Sequence, residues 1–242
     1  MISPLEQFEI LPIINLYFLV FTNSTIIILL GIFFLIFYIQ FYKKTTLIPN
    51  RWNLIFEDIY NSSMELSYSN IGKLGGIFLP LIFVIFLFLL VSNLIGMVPY
   101  SFTVTSHLII TFAMALTTYI GFNIIGIKKH KFNFLNLFLP GGASLILVPL
   151  LVPIEIISYI FRVISLPVRL FANMMAGHTL LKVIAGFAWI MISLNGLLWF
   201  GHVIPLLVLV ILFGLEIGVA LIQAYVFTIL LCIYINDALN LH

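Results

Sequence analysis

Five charged residues lie in a part of the chain that is otherwise strongly apolar. Between residues 132 and 236, the only aspartate, glutamate, lysine or arginine residues are Glu155, Arg162, Arg169, Lys182 and Glu216. In a membrane, a charge near the bilayer centre costs at least about 2.5–3.5 kcal/mol to insert. A purely structural membrane protein has no need of five such groups in one region, so by default they indicate a path for ions.

The charged residues of the first long apolar run share one helical face. Glu155, Arg162 and Arg169 follow one another at intervals of seven residues. Seven residues are two helical turns, so the three form a stripe that drifts by about 20° per step. Tyr159 and Asn173 lie one turn beyond Glu155 and Arg169 and extend the stripe. One helix is therefore predicted to carry a polar stripe through an apolar region.

A second polar stripe is predicted on the last helix. Glu216 and Gln223 are seven residues apart, and Asp237 follows Glu216 by three heptads. Gly214 and Gly218 flank Glu216 in a GxxxG pattern. Small residues at this spacing let another helix approach closely in a membrane. We therefore expect a close helix contact beside the carboxylate.

Each of these groups also has a structural interpretation. Lys182 is explained by a side chain that reaches from a helix end to the membrane surface. Arg162 either forms a buried salt bridge with Glu155 or takes part directly in transport, and the spacing leaves both open. The alternative for Glu216 is a packing carboxylate, which a membrane interior disfavours. His178 lies in the same charged region and titrates near neutral pH, so it remains a candidate.

An arginine in a proton path cannot carry the proton, because its guanidinium stays protonated in proteins. Its fixed charge repels protons on both sides and attracts a carboxylate. This suits a machine in which a carboxylate of another subunit passes the arginine, loses its proton on one side and regains one from the other. The residues therefore predict two offset half-channels with Arg169 or Arg162 between them.

The composition of the whole chain places these groups in a membrane protein. Of 242 residues, 63% are hydrophobic and 7% are charged, and the mean hydropathy is +1.27. Soluble domains carry about 25% charged residues, so a water-soluble globule is excluded. The length leaves no room for a soluble catalytic domain beside several spans of about 20 residues each. The net charge of +2 is too small for a nucleic-acid-binding surface.

The hydropathy pattern predicts an all-α, polytopic fold that forms a single membrane domain over residues 1–242. One steep transmembrane helix, one interfacial amphipathic helix and four further membrane helices are expected. Their predicted ranges are, in chain order, 24–42, 50–72, 75–99, 104–127, 143–185 and 202–235. A continuous helix over 143–185 would be about 60 Å long against a hydrocarbon thickness of about 30 Å. It must therefore break or lie steeply tilted.

The runs SLPVRLFANMMAGH at 165–178, the more specific, and LEIGVALIQAYVF at 215–227 resemble subunit a (subunit 6) of F-type ATP synthases, in its mitochondrial version. The runs NLIGMVPYSF at 93–102 and SPLEQFE at 3–9 add to the resemblance, which covers essentially the whole chain. The family fold implies that the last two helices form a long, strongly tilted hairpin beside a rotating ring of c subunits.

The resemblance also chooses between the two arginines. It implies that Arg169, and not Arg162, is the essential arginine that faces the c-ring carboxylates. Asn173 and Gln223 match the polar neighbours of that arginine in the family. The separator between the two half-channels is then expected at Arg169.

The remaining candidates are assigned to the two half-channels by the same resemblance. Glu216 with His178 fits the half-channel from the intermembrane space, and Asn93 is expected near it. Glu155, together with Asp237, fits the half-channel to the matrix. The order of histidine before glutamate favours a mitochondrial protein over a bacterial one.

The resemblance further implies partners and a location. The partners are the c-subunit ring, the peripheral-stalk subunit b, other Fo subunits and the lipid bilayer, within a large hetero-oligomeric and dimeric complex; no nucleic acid is expected. The chain is expected to be a multi-pass protein of the mitochondrial inner membrane. On its own it is expected to be a non-catalytic component of the proton-transporting complex, with no cofactor and no metal site.

Three other functions compete with this one. A haem-bearing subunit of a respiratory complex would need paired histidines at matching depths, and only His178 and His202 fall in the late apolar region. A secondary transporter would usually show an internal repeat with a substrate pocket, and no repeat is found. A structural assembly subunit would leave Arg169 and Glu216 unexplained. The alternatives that remain are another multi-span ion transporter and a membrane subunit of a respiratory complex.

Overall fold

The computed structural model describes residues 6–16, 19–42, 50–98, 101–131, 134, 148–193 and 201–240. Its elements in chain order are β1 (Pro12–Leu16), β2 (Leu19–Thr22), α1 (Asn23–Tyr42), α2 (Arg51–Ile71), α3 (Gly75–Gly96), α4 (Leu108–His130), α5 (Val148–Ser193) and α6 (Val203–Leu239). Short 3₁₀ turns occur at Glu6–Phe8, Gly72–Leu74 and Val104–Ser106. The predicted all-α class is confirmed, with one short hairpin beside the helices.

The hairpin of β1 and β2 was not predicted from the sequence. The two strands pair antiparallel, from Pro12 opposite Thr22 to Leu16 opposite Leu19. Asn23 closes the hairpin, because its side-chain amide donates to the carbonyl of Glu9 at 2.9 Å. The segment is apolar at nearly every position, so it lacks the alternation of apolar and polar residues by which a strand is predicted.

Several helices are suited to a membrane. Four helical segments are long and apolar enough to cross one, namely Arg51–Gly96 (which joins α2 and α3), α4, α5 and α6. The 20 residues of α1 add a shorter apolar helix of about 30 Å, close to the thickness of the hydrocarbon core. The prediction of a polytopic membrane protein is therefore confirmed.

The last two helices are much longer than a bilayer is thick. α5 has 46 residues and α6 has 37, which correspond to about 70 Å and about 55 Å of helix. α5 stays helical through Pro153 and Pro167. It continues to Ser193, beyond the predicted end at residue 185, because the added turns are apolar and a single glycine does not stop them. The predicted residues 143–147 lie outside the described part of the chain.

The start of α4 also differs from the predicted range of 104–127. Val104–Ser106 forms a 3₁₀ turn whose three residues are buried, and His107 has an extended backbone. The regular helix therefore begins at Leu108 and ends at His130, with basic residues in its last turn. Cations at this end of a helix interact favourably with the helix dipole.

α2 combines a buried and an exposed face, as its amphipathic sequence predicts. Its buried side chains are Ser63, Leu66, Ser67 and Ile71, whereas Trp52 is 71% exposed. The hydroxyl of Tyr38 on α1 donates to the carbonyl of Phe56 on α2 at 2.6 Å. Gly72 ends the helix with φ of 76°, a conformation that strongly favours glycine.

The chain forms two compact units, and both matter for the site. Unit 1 comprises Met1–Phe34, Phe88–His107 and Leu170–Ala224, and its core includes Met97, Met174 and Ala220. Unit 2 comprises Leu35–Leu87, Leu108–Arg169 and Tyr225–His242, and an aromatic cluster of Tyr38, Phe56, Tyr60 and Phe83 packs inside it. Residues of α5 and α6 contribute to each unit.

Candidate functional site

A buried acid–base pair lies in unit 1. His178 on α5 and Glu216 on α6 face one another, with 3.7 Å between the histidine Nε2 and the carboxylate Oε1. Each side chain is only 7% exposed. Neither carboxylate oxygen of Glu216 has a hydrogen-bond partner among the described residues. Because burying an unsatisfied charge is costly, such a carboxylate is suited to taking up and releasing a proton together with its histidine neighbour.

The approach of α5 to Glu216 depends on a glycine. A Cβ atom added at Gly177 would lie 2.6 Å from Oε1 and 2.9 Å from Cδ of Glu216. Any larger residue would have to displace the carboxylate. Gly177 therefore belongs to the site, although the sequence analysis did not select it. Its position beside His178 is the only signal in the sequence that could have found it.

The expected helix contact at Gly214 and Gly218 is not made within the described residues. A Cβ atom added at either glycine would meet nothing within 4 Å. The buried alanines of α6 are Ala220, Ala224 and Ala238. The glycine-lined side of α6 is therefore open on this chain.

Asn93 connects α3 to the helix that carries Glu216. Its side chain is fully buried, and its amide nitrogen donates to the carbonyl oxygen of Ala220 at 3.1 Å. Ala220 lies one helical turn after Glu216. The amide oxygen of Asn93 has no hydrogen-bond partner among the described residues. The structure thus places Asn93 in the same unit as the acid–base pair and in contact with the same helix.

A second cluster of charges lies in unit 2 and is partly exposed. Arg162 on α5 forms ion pairs with Asp237 on α6 at 3.4 Å and with Glu155 on α5 at 4.0 Å. The side chains of Arg162 and Glu155 are 41% exposed, and that of Asp237 is 29% exposed. Arg162 therefore does not form the buried salt bridge with Glu155 that the spacing allowed. It joins two partly exposed carboxylates.

Arg169 differs from Arg162 in both exposure and pairing. Its side chain lies on the surface of the chain. The ion pairs among the described residues involve Arg162 and His178, and none involves Arg169. Asn173 and Gln223 are half-buried. Among the described residues, Arg169 thus presents an exposed guanidinium without a carboxylate partner, and Asn173 follows it by about one turn on α5.

Polar residues of α4 complete the surroundings of the unit 2 cluster, and the sequence analysis did not identify them. The hydroxyl of Tyr159 on α5 donates to the side-chain oxygen of Asn123 on α4, and the rings of Tyr159 and Tyr119 pack 5.1 Å apart. The sequence signal that could have identified Asn123 is its polar amide side chain inside an otherwise apolar helix. Within the described ranges, no group of three metal-ligating side chains comes together.

Comparisons with known proteins identify the family of this chain. The family model described as ATP synthase A chain matches residues 22–236. The chain belongs to this family. Among its relatives, the ATP synthase subunit a of Pylaiella littoralis is 56% identical and that of Chondrus crispus is 52% identical. Each match covers 99% of this chain, and 99% and 97% of the respective relative.

More distant relatives match over the same extent. The ATP synthase subunit a of Marchantia polymorpha is 50% identical, and the match covers 99% of both chains. Family membership makes this chain a proton-translocating component of the Fo sector, the membrane part of ATP synthase. As a member of this family, the chain is a non-catalytic membrane component of the complex.

Proposed function

We propose that this chain is the stator subunit that carries protons to and from the c-ring of ATP synthase through two offset half-channels separated by Arg169. The observation that carries the proposal is the contrast between the two arginines of α5. Arg162 is neutralised by two carboxylates of its own chain, whereas Arg169 is exposed and has no carboxylate partner among the described residues. An exposed, unpaired cation on an apolar helix is suited to a carboxylate supplied by a partner.

The buried pair His178 and Glu216 is proposed to serve the half-channel from the intermembrane space. A proton arriving at this pair can be taken up by either the imidazole or the carboxylate, whose nearest atoms lie 3.7 Å apart. Enclosure keeps the pair from exchanging freely with bulk water, so protons pass one at a time. Asn93, with a buried and unpaired amide oxygen in the same unit, is suited to guide a proton or a water molecule towards the pair.

The exposed cluster of unit 2 is proposed to serve the half-channel to the matrix. Glu155 and Asp237 lie at the two sides of Arg162, and all three are partly exposed. A proton released from the c-ring is attracted by two carboxylates, while Arg162 prevents them from holding it tightly. Hydrated carboxylates of this kind return the proton to water.

Arg169 is proposed to separate the two half-channels. Its fixed charge repels a proton that would pass directly from one half-channel to the other and favours the ionised state of a c-ring carboxylate beside it. The carboxylate must then collect a proton on one side before it re-enters the lipid. The membrane potential supplies about 2.3 kcal/mol per proton for each 100 mV. Proton flow is thereby coupled to rotation and to ATP synthesis.

We further propose that the chain works in the mitochondrial inner membrane. Its partners would be the c-ring, the peripheral-stalk subunit b and other Fo subunits of a dimeric complex. Support comes from the order of His178 before Glu216 and from relatives of algae and plants that match this chain along nearly its whole length.

Replacement of Arg169 tests the proposal. In the assembled complex reconstituted in vesicles, Arg169→Ala should lower proton-driven ATP synthesis by at least about 100-fold and alter passive proton leak through the membrane sector. Arg51→Ala, an exposed arginine on α2, serves as the matched control and should leave both unchanged. A stand-alone transporter would instead show a simple loss of uptake, and coupled synthesis near the wild-type rate in Arg169→Ala would contradict the proposal.

A further inference from the structure

The last two turns of α4 hold the end of α6. The ammonium of Lys129 donates to the carbonyl oxygen of Leu239 at 2.9 Å, and the Nε2 of His130 lies 2.9 Å from the same oxygen. The final carbonyl groups of a helix have no partner within the helix, and cations interact favourably with them. Lys129 and His130 therefore fix the end of the helix that carries Asp237.

A glycine lets the two helices approach one another here. A Cβ atom added at Gly126 would lie 3.2 Å from the carbonyl oxygen of Ala238 and 2.7 Å from the ring of Phe134. Gly126 itself is buried. This contact is independent of the two polar contacts to Leu239. Backbone packing and polar contacts therefore both connect α4 to α6, at positions no more than two residues from Asp237.

The same helix holds α5 one turn earlier. Asn123 on α4 accepts a hydrogen bond from the hydroxyl of Tyr159 on α5. Tyr159 lies four residues after Glu155 and three before Arg162, so the three share one helical face. The hydrogen bond to Asn123 therefore anchors α5 at the face that presents both charged groups.

The charged cluster has little means of holding itself in place. The ion pairs of Arg162 span 3.4 Å and 4.0 Å, and all three side chains are partly exposed. Exposed ion pairs contribute little to stability, because water screens them and long side chains lose freedom when they are fixed. The relative position of Glu155 and Asp237 must therefore come from the helices that carry them, and α4 contacts both helices.

We propose that Asn123, Lys129 and His130 of α4, together with Tyr159, position the carboxylates of Glu155 and Asp237 on either side of Arg162 in the half-channel to the matrix. We call these four residues the α4 clamp. They are positioning residues, since they act through the ionic cluster. The inference rests on the proposed function of that cluster.

The test measures proton conduction while the pH is varied on one side of the membrane at a time. Three helices contribute titratable and charged groups to the surroundings of the cluster. These groups are Glu155, Tyr159 and Arg162 on α5, Tyr119, Lys129 and His130 on α4, and Tyr234 and Asp237 on α6. Arg169 is close enough to Tyr234 to interact with it electrostatically. A change in the geometry of the two carboxylates should alter how proton conduction depends on the pH of the matrix side, to which these groups are proposed to open. The dependence of conduction on the pH of the opposite side should not change.

Two conservative variants remove the link between α4 and α5. In the assembled complex in vesicles, with the catalytic sector removed, Tyr159→Phe and Asn123→Leu should each lower passive proton conduction about two- to threefold per assembled complex. The double variant should lose no more conduction than the more severe of the two single variants, because the hydrogen bond between Tyr159 and Asn123 is absent in each of them. Each should shift the pH profile measured from the matrix side only.

Two further variants complete the design. Lys129→Gln should lower conduction in the same way, and Lys129→Arg should restore it, because arginine keeps the charge and can donate to Leu239. Tyr38→Phe is the matched control, since it removes a hydroxyl that donates to the Phe56 carbonyl elsewhere in unit 2. It should leave the conduction and both pH profiles unchanged.

The outcomes separate this inference from the proposed function. Suppose that Tyr159→Phe has wild-type conduction and pH profiles, while Glu155→Gln clearly loses conduction. This result would overturn the role of the α4 clamp but would not contradict the proposed function. Should Asn123→Leu fail to assemble, Tyr159→Phe still decides, because it removes a single oxygen atom. Retention of coupled synthesis in Arg169→Ala would overturn the proposed function itself.

Discussion

Two acid-containing clusters of this chain use the same helices but lie in opposite environments. In unit 1, Glu216 and His178 are enclosed, with 7% of each side chain exposed. In unit 2, Glu155 and Asp237 flank Arg162 and are 41% and 29% exposed. The comparison contrasts an enclosed carboxylate beside a histidine with partly exposed carboxylates paired to an arginine, and such surroundings shift the proton affinity of a carboxylate in different directions. In the proposed function, the enclosed pair holds a proton and the ion-paired cluster releases it.

The difference also shows where each cluster depends on its neighbours. The enclosed pair of unit 1 relies on close packing, since Gly177 leaves no space for a side chain beside Glu216. The cluster of unit 2 is partly exposed, and α4 makes polar contacts to both helices that carry it. Changes in volume should therefore affect unit 1 most, and changes in polar contacts should affect unit 2 most.

Neutralising the buried acid should produce the largest effect that distinguishes the clusters. Glu216→Gln keeps the size of the side chain but removes its ability to accept and release a proton. We expect ATP-driven proton pumping by the assembled complex to fall roughly tenfold or more, because no second carboxylate stands beside His178 in the described part of unit 1. Pumping is measured by the quenching of a pH-sensitive dye in vesicles.

The matched variant in unit 2 is Glu155→Gln. It should lower pumping about threefold or less, because Asp237 still lies 3.4 Å from Arg162 and takes over its task. Equal losses in Glu216→Gln and Glu155→Gln would show that burial does not distinguish the two clusters.

A single added methyl group should sharpen the comparison through packing. Gly177→Ala places a Cβ atom 2.6 Å from Oε1 of Glu216, so either the carboxylate or the helix must shift. We expect a destabilisation of about 1–3 kcal/mol and a several-fold loss of pumping. Both are measured on the purified complex, the first as a lower midpoint of thermal unfolding.

Gly186→Ala is the control on the same helix. A Cβ atom at Gly186 meets nothing within 4 Å, so this variant should pump normally and should be no less stable than the wild type. If both variants behave alike, the close approach of α5 to Glu216 is not needed for transport.

The smallest effect is expected at a second histidine of unit 1 that lies outside the membrane-spanning helices. His107 stacks on Phe102 with ring centroids 4.8 Å apart, and burial lowers the pKa of His107 below its ordinary value of 6.5. His107 therefore binds a proton more readily in the unfolded chain than in the folded protein. The contribution of the neutral His107 ring to the free energy of unfolding is present above pH 6.5, and it is lost as the pH falls through the pKa of His107 in the folded protein.

Titration of His107 in the purified protein by NMR should give a midpoint below 6.5, and His107→Gln should leave pumping nearly unchanged. A midpoint above 6.5 would mean that a negative charge, and not burial, dominates this region. A large loss of pumping in His107→Gln would extend the proton path of unit 1 beyond His178 and Glu216.

Much of the fold could be predicted because the membrane imposes a simple pattern on the sequence. Apolar runs located the long helices, although α5 ends at Ser193 and not at residue 185, and the interval of seven residues placed Glu155 and Arg162 on one face. The hairpin was missed because its strands lack polar alternation. Helix ends were least certain, since apolar residues continue through the last turn of α5.

The site was predictable only along each helix. Spacing relates residues of one helix, so it could not show that Arg162 pairs with Asp237, 75 residues away. Neither the approach of Gly177 to Glu216 nor the hydrogen bond from Tyr159 to Asn123 leaves a periodic signal. Contacts between helices depend on how they pack, and one sequence does not contain that information directly.

The most direct test is a high-resolution density map of the assembled complex around Arg169. We predict that a carboxylate of the c-ring lies opposite the guanidinium, with ordered water leading towards it from two sides and ending before it. Lipid tails packed against Arg169, or a continuous column of water passing it from one membrane surface to the other, would contradict the separation of two half-channels.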